Sequence, residues 1–144
     1  FDACLSILQA MGKNIDYEGK AGNGQHTKMC NQIAVAGALA GACEAMVYAK
    51  NVGLDVDTML KSISTGAASS VQMNNVASRA LPDDYRPGFF IKHFIKDMNL
   101  ADEEARAADT ELKVLEDVLS MYKELEQEGM GELGTQALIK YYNW

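Results

Sequence analysis

The run Ile33-Ala34-Val35-Ala36-Gly37-Ala38-Leu39-Ala40-Gly41-Ala42-Cys43-Glu44-Ala45-Met46-Val47 constrains the fold of this chain more than any other feature. It is apolar nearly all round and sits inside a stretch from about Gly24 to Asn51 that reads as one helix, roughly 40 Å long at 1.5 Å per residue. A helix of that kind has to be covered on most sides. A membrane span requires ~20 uninterrupted apolar residues, and Glu44 interrupts this one. The expectation is a central helix buried in a soluble core, with no membrane contact. Gly37 and Gly41 share a face and are expected to let neighbouring helices approach closely. Glu44 then needs a polar partner, and Gly53 marks the C-terminal stop.

The rest of the chain reads as helices packed around this one. Apolar residues at 48% and only 2 prolines favour an ordered, mainly helical domain, and 144 residues suffice for a core without staples. Asp55 or Asp57 can cap a helix reaching Ile63, and Ser69 or Ser70 one reaching about Arg79. The longest loop is Pro82 to Gly88, followed by a helix from about Ile91 to Ala107. Leu112, Leu115, Val118, Leu119, Tyr122 and Leu125 recur at helical spacing in another, Glu111 to Gln127. A short last helix ends at Tyr141 and Tyr142. Before the long helix, Asp2 to Met11 reads as a short helix and Asn14 to Glu18 as a brief strand. A lone strand is not stable, so residues 1–21 are expected to be the edge of a sheet and a link, and residues 22–144 the helical domain.

Charge and cysteine usage narrow the function classes. Thirteen basic against twenty acidic residues give a formal charge of −7, which argues against a nucleic-acid surface and requires a local positive site for any anionic substrate. Cys4, Cys30 and Cys43 are odd in number and widely spaced, as expected of a reducing, cytoplasmic setting without a disulfide framework. His26 and Cys30 can share a helix face but lack a third ligand, so no metal is expected. Gly22-x-Gly24 lacks the third glycine of a dinucleotide fingerprint, Thr27 standing there, and no second strand follows.

One constellation does carry chemistry. Gly22-Asn23-Gly24-Gln25-His26-Thr27-Lys28 places a lysine near the start of the long helix, just after a glycine-rich turn. The positive end of the helix dipole disfavours a second positive charge there, which suits Lys28 to general acid–base work if it faces a cleft. Asn31 and Gln32, three and four residues on, share its face and bring amide donors and acceptors to the same bound molecule. A second cluster, Lys92 and Lys96 one turn apart with Asp97 adjoining, reads on its own as a charged helix face.

The pattern Gly19-x-x-Gly22-x-Gly24-x-x-x-Lys28-x-x-Asn31 resembles the second signature of the β-hydroxyacid dehydrogenases, which include 3-hydroxyisobutyrate dehydrogenase, tartronate semialdehyde reductase and, more distantly, 6-phosphogluconate dehydrogenase. Tyr85-Arg86-Pro87-Gly88-Phe89-Phe90 and Lys92 to Asp97 resemble the family's later landmark, in the expected order. The resemblance covers the C-terminal half of such an enzyme, residues 1–21 being the remnant of a Rossmann-domain edge. It implies NAD or NADP held mainly by that other domain, and hydride transfer to or from a small anionic β-hydroxyacid or semialdehyde. It also implies Lys28 as general acid/base, Asn31 and Gln32 orienting the substrate, Ser70 near it, and Lys96 reaching the cofactor. Relatives commonly assemble through this domain, so a homo-oligomer is expected, and the 144 residues alone are expected to be inactive. The alternative is a catalytically silent helical oligomerisation module.

Overall fold

The computed structural model describes residues 1–144 as a bundle of helices around one long helix, as expected. A 3-10 turn, Asp2–Cys4, leads into α1, Leu5–Met11, which buries no residue. The expected strand at Asn14 to Glu18 does not form: the backbone there has no ladder partner, and the only β-bridge in the chain joins Phe90 to Gly134. Alternation in a short segment is not enough without a neighbouring strand to receive its N–H and C=O groups.

The long helix, α2, runs Asn23–Asn51. Its most apolar 18-residue stretch has a mean hydropathy of 1.4, long and apolar enough by composition to cross a membrane, and 44% of that stretch is buried within the bundle. Ala36, Leu39, Cys43 and Met46 are fully buried against the other helices. The helix is covered on one side rather than all round, because Ala34, Gly41, Glu44 and Tyr48 form an open stripe. Gly37 does take a close neighbour, its Cβ position lying 3.6 Å from Val114 Cγ1, whereas nothing lies within 4 Å of the Cβ position of Gly41. Glu44 is exposed and accepts a hydrogen bond from the Tyr142 hydroxyl at 3.1 Å, so water does most of what a buried partner was expected to do.

The Leu54 N–H closes back onto the Ala49 carbonyl at 2.9 Å past Gly53, ending α2. In α3, Val56–Ile63, Asp55 is the cap and accepts from the Thr58 N–H at 2.8 Å. Ser70, rather than Ser69, caps the next segment, accepting the Met73 N–H at 3.1 Å. That segment is a π-helical turn, Gln72–Val76, tightening into a 3-10 turn, Ala77–Ala80, instead of a regular helix. It leads through the Pro82–Gly88 loop to α4, Ile91–Ala107, and α5, Lys113–Leu125. The last element, Thr135–Tyr142, is 3-10 and packs against α2 and α5 with Thr135 to Ile139 buried.

Phe94 of α4 and Tyr122 of α5 meet edge to face, 5.3 Å between centroids, and both are fully buried. Full burial of a side chain of that size is worth about 1.5–3 kcal/mol in transfer free energy. The buried Tyr122 hydroxyl donates to the Thr135 carbonyl at 2.7 Å, tying the last element to the core.

Candidate active site

The chain enters α2 through Gly22, whose φ of 97° is open to glycine at little steric cost. Its carbonyl accepts from both Gln25 and His26 N–H, at 3.0 and 3.1 Å, and Asn23 Nδ2 reaches back 2.7 Å to the Glu18 carbonyl. This fixes the first turn of α2 and with it the direction in which Lys28 projects. Lys28 is exposed, so this chain by itself supplies it no burial. It lines the rim of a cleft of about 270 Å³ whose walls include Gln32 from α2, Gln72 and Arg79 from the irregular segment, Phe89 just before α4 and Gln136 from the last 3-10 element. Clefts for drug-sized ligands run from ~300 to 1,000 Å³, so this one suits a small molecule.

Gln32 is 3% exposed and sits in a relay: Asn31 Nδ2 donates to Gln32 Oε1 at 2.8 Å, and Gln32 Nε2 donates to Asp97 Oδ2 at 2.8 Å. The relay binds α2 to α4 and leaves the side-chain oxygen of Asn31, Oδ1, free. Lys96, on the rim of that junction, is 68% exposed and 3.6 Å from Asp97 Oδ1. Neither Lys96 nor Ser70 is among the cleft-lining residues; the Ser70 oxygen accepts the capping bond from the Met73 N–H. Of the residues the sequence singled out, Lys28 and Gln32 share the cleft, and Asn31 joins them through the relay.

Arg79 and Gln136 were not singled out by sequence. Arg79 donates from Nε and Nη2 to Asp84 Oδ2, at 3.2 and 3.0 Å, and from Nη2 to the Arg86 carbonyl at 2.8 Å. Arg86 grips the other side of Asp84, with Nε 2.8 Å from Oδ1. The Arg86 and Arg79 guanidiniums hold the Asp84 carboxyl well below the usual carboxylate range. Gln136, 1% exposed, donates from Nε2 to the carbonyls of Asp84 and Arg86, at 2.7 and 3.1 Å. The loop is thus latched from both ends. The local signal was the charge cluster Arg79, Asp84 and Arg86; Gln136 lies about fifty residues away in sequence and offered none.

Comparison with known proteins places this geometry. A family profile described as "NAD-binding of NADP-dependent 3-hydroxyisobutyrate dehydrogenase" matches residues 22–142. The uncharacterized oxidoreductase YkwC of Bacillus subtilis is 49% identical over 99% of this chain and 49% of its own length. A probable 3-hydroxyisobutyrate dehydrogenase-like protein of Arabidopsis thaliana is 38% identical over 92% of this chain and 40% of its own. The crystal structure of 3-hydroxyisobutyrate dehydrogenase from Salmonella typhimurium superposes with a TM-score of 0.91 at 26% identity, over 97% of this chain and 50% of that one. A helical domain of this shape is shared with a solved dehydrogenase. More narrowly, the chain belongs to the 3-hydroxyisobutyrate dehydrogenase family, whose cofactor is a nicotinamide dinucleotide, NAD or NADP. The chain spans about half the length of the curated relatives it matches.

Proposed function

We propose that this chain is the substrate-side half of an NAD(P)-dependent oxidoreductase acting on a small β-hydroxyacid or its semialdehyde, with Lys28 as general acid/base. The observation that carries the reading is the small cleft with Lys28 on its rim and Gln32 in its wall. The cofactor, when bound, accepts or supplies the hydride. In oxidation the Lys28 amine takes the proton of the substrate hydroxyl, and in reduction the ammonium returns it to the carbonyl oxygen. Asn31, its amide nitrogen held by Gln32, keeps an amide oxygen with which to orient the same molecule and help fix the reacting groups at near-attack distance. Lys96, loosely paired and exposed, is the cation available to the cofactor. Burial of Lys28 has to come from the half of the enzyme that carries the nucleotide.

The reading is tested in the full-length enzyme, with both cofactors, on small semialdehydes and β-hydroxyacids. Lys28→Met should lower kcat by about 10²–10⁴-fold with the fold and cofactor affinity retained. Undiminished turnover in the folded variant would exclude Lys28 from the chemistry. A second reading, a helical oligomerisation module, is favoured by the open stripe Ala34, Gly41 and Tyr48 on α2, and is compatible with the first. Sedimentation tests it: a monomer at high concentration removes it.

A further inference from the structure

The geometry points to Arg79 as the group that receives the substrate's carboxylate in the Lys28 cleft, an inference that rests on the proposed reaction. Two of the cleft-lining residues are cations, Lys28 and Arg79, and none is acidic, in a chain whose overall charge is −7. A positive hollow in a negative protein concentrates small anions there. Lys28 is assigned to the hydroxyl, and Arg79 is then the cation of the cleft left for the carboxylate of the same molecule.

Arg79 is built for that task. Its Nε and Nη2 are spent on Asp84 and the Arg86 carbonyl, and these bonds hold the guanidinium plane fixed. Nη1 makes no hydrogen bond within the chain, so its two N–H donors are left for a bound molecule. Asp84 does not cancel the charge at this spot, because Arg86 shares the same carboxylate: two guanidiniums meet one carboxyl group. Gly88 keeps the Nη1 edge uncovered. A Cβ there would lie 3.7 Å from Nη1, and any larger side chain would stand over it. The Gln136 latch on the Asp84 and Arg86 carbonyls holds loop and guanidinium in register. The ligand class is a short-chain carboxylate with its hydroxyl or carbonyl a few atoms from the acid group, contacted through one nitrogen rather than a bidentate fork.

The test compares a β-hydroxyacid with its neutral primary amide as substrates of the full-length enzyme. Wild type should prefer the acid. Arg79→Gln should lower that preference by about 10- to 100-fold, the worth of one hydrogen bond to a charged group. Gly88→Val, which covers Nη1 but leaves the Asp84 clamp alone, should lower it too, so a folding defect in the first variant does not decide the matter. A clamp with only a structural role would reduce stability and leave the acid-to-amide ratio unchanged; an unchanged ratio in either folded variant overturns the inference. If wild type turns over neither compound, the proposed reaction fails instead. Calorimetric binding of propionate, which has no hydroxyl to oxidise, then decides: affinity lost with Arg79→Gln supports the assignment, and affinity unchanged overturns it.

Discussion

Gln32 Nε2 of α2 donates to Asp97 Oδ2 of α4 at 2.8 Å, across sixty-five positions of sequence, and this one bond links the helix bearing Lys28 to the helix bearing Lys96. The amide is buried and the carboxylate mostly so. Asp97→Ala leaves a buried N–H without its acceptor and should cost about 1–3 kcal/mol of unfolding free energy in urea, with the slope unchanged. Activity of the full-length enzyme should fall as well, because Asn31 hangs from the same amide. A stable variant with altered activity would mean that the relay serves the substrate and not the fold.

A side chain at Gly134 should displace the Gln136 amide. A Cβ at that position would overlap the Gln136 amide, coming within 2.8 Å of Nε2, which is the atom that latches the loop. Gly134→Ala is expected to destabilise by about 1–3 kcal/mol and to speed hydrogen exchange at the loop amides around Arg86. Unchanged exchange would show that the latch can shift without letting go.

The thiols should separate cleanly. Cys4 and Cys30 are exposed and Cys43 is buried. A thiol reagent under native conditions should therefore label two groups quickly and the third only on unfolding. Rapid labelling of all three would mean that α2 opens readily.

Alkaline pH should unfold the protein. Burial, helped by Glu44, pushes the Cys43 thiol up from 9.0 to about 12. Burial likewise raises Tyr85 to about 12, and Tyr122 is raised well above its ordinary value. The unfolded chain releases these protons from about pH 9 while the folded chain keeps them, so their contribution is intact below pH 9 and lost as the pH rises towards 12. For the buried Cys43 and Tyr122 each such proton is worth about 1.4 kcal/mol per pH unit within its own window, and for the half-exposed Tyr85 less, because solvent screens it. Cys43→Ala should flatten the fall in denaturation midpoint between pH 9 and 11; an unaltered slope would assign it to the tyrosines.

Much of this fold is written in short-range chemistry. Asp55, Ser70 and Gly53 act within five residues of themselves, through one cap or stop bond each; spacing found the Gly53 stop and narrowed each cap to two candidates, Asp55 or Asp57 and Ser69 or Ser70. The apolar run of α2 announced a core helix, but its all-round apolarity concealed which side stays open, since Ala34 and Gly41 look the same as Ala36 and Ala40 in sequence and differ only in what packs on them. The segment 72–80 has helical composition, and its π and 3-10 turns come from local bonding that a 3.6-residue period does not reveal. Lys28, Asn31 and Gln32 were legible because one helix carries all three. Arg79 and Gln136 come from separate elements, and only the closed loop brings them into the same cleft.

The buried stretch Thr135 to Ile139 runs through the middle of the bundle, against α2 and α5. A ribosome releases a chain from the N-terminal end, so α2 is made first and must wait for the segment that covers it. Until synthesis has passed Ile139, Leu39, Cys43 and Met46 have an incomplete covering, and the nascent chain carries its most apolar helix with one flank unprotected. Folding of these helices therefore waits on the synthesis of residues 135–139, and a stall shortly before Thr135 should leave a species that chaperones hold.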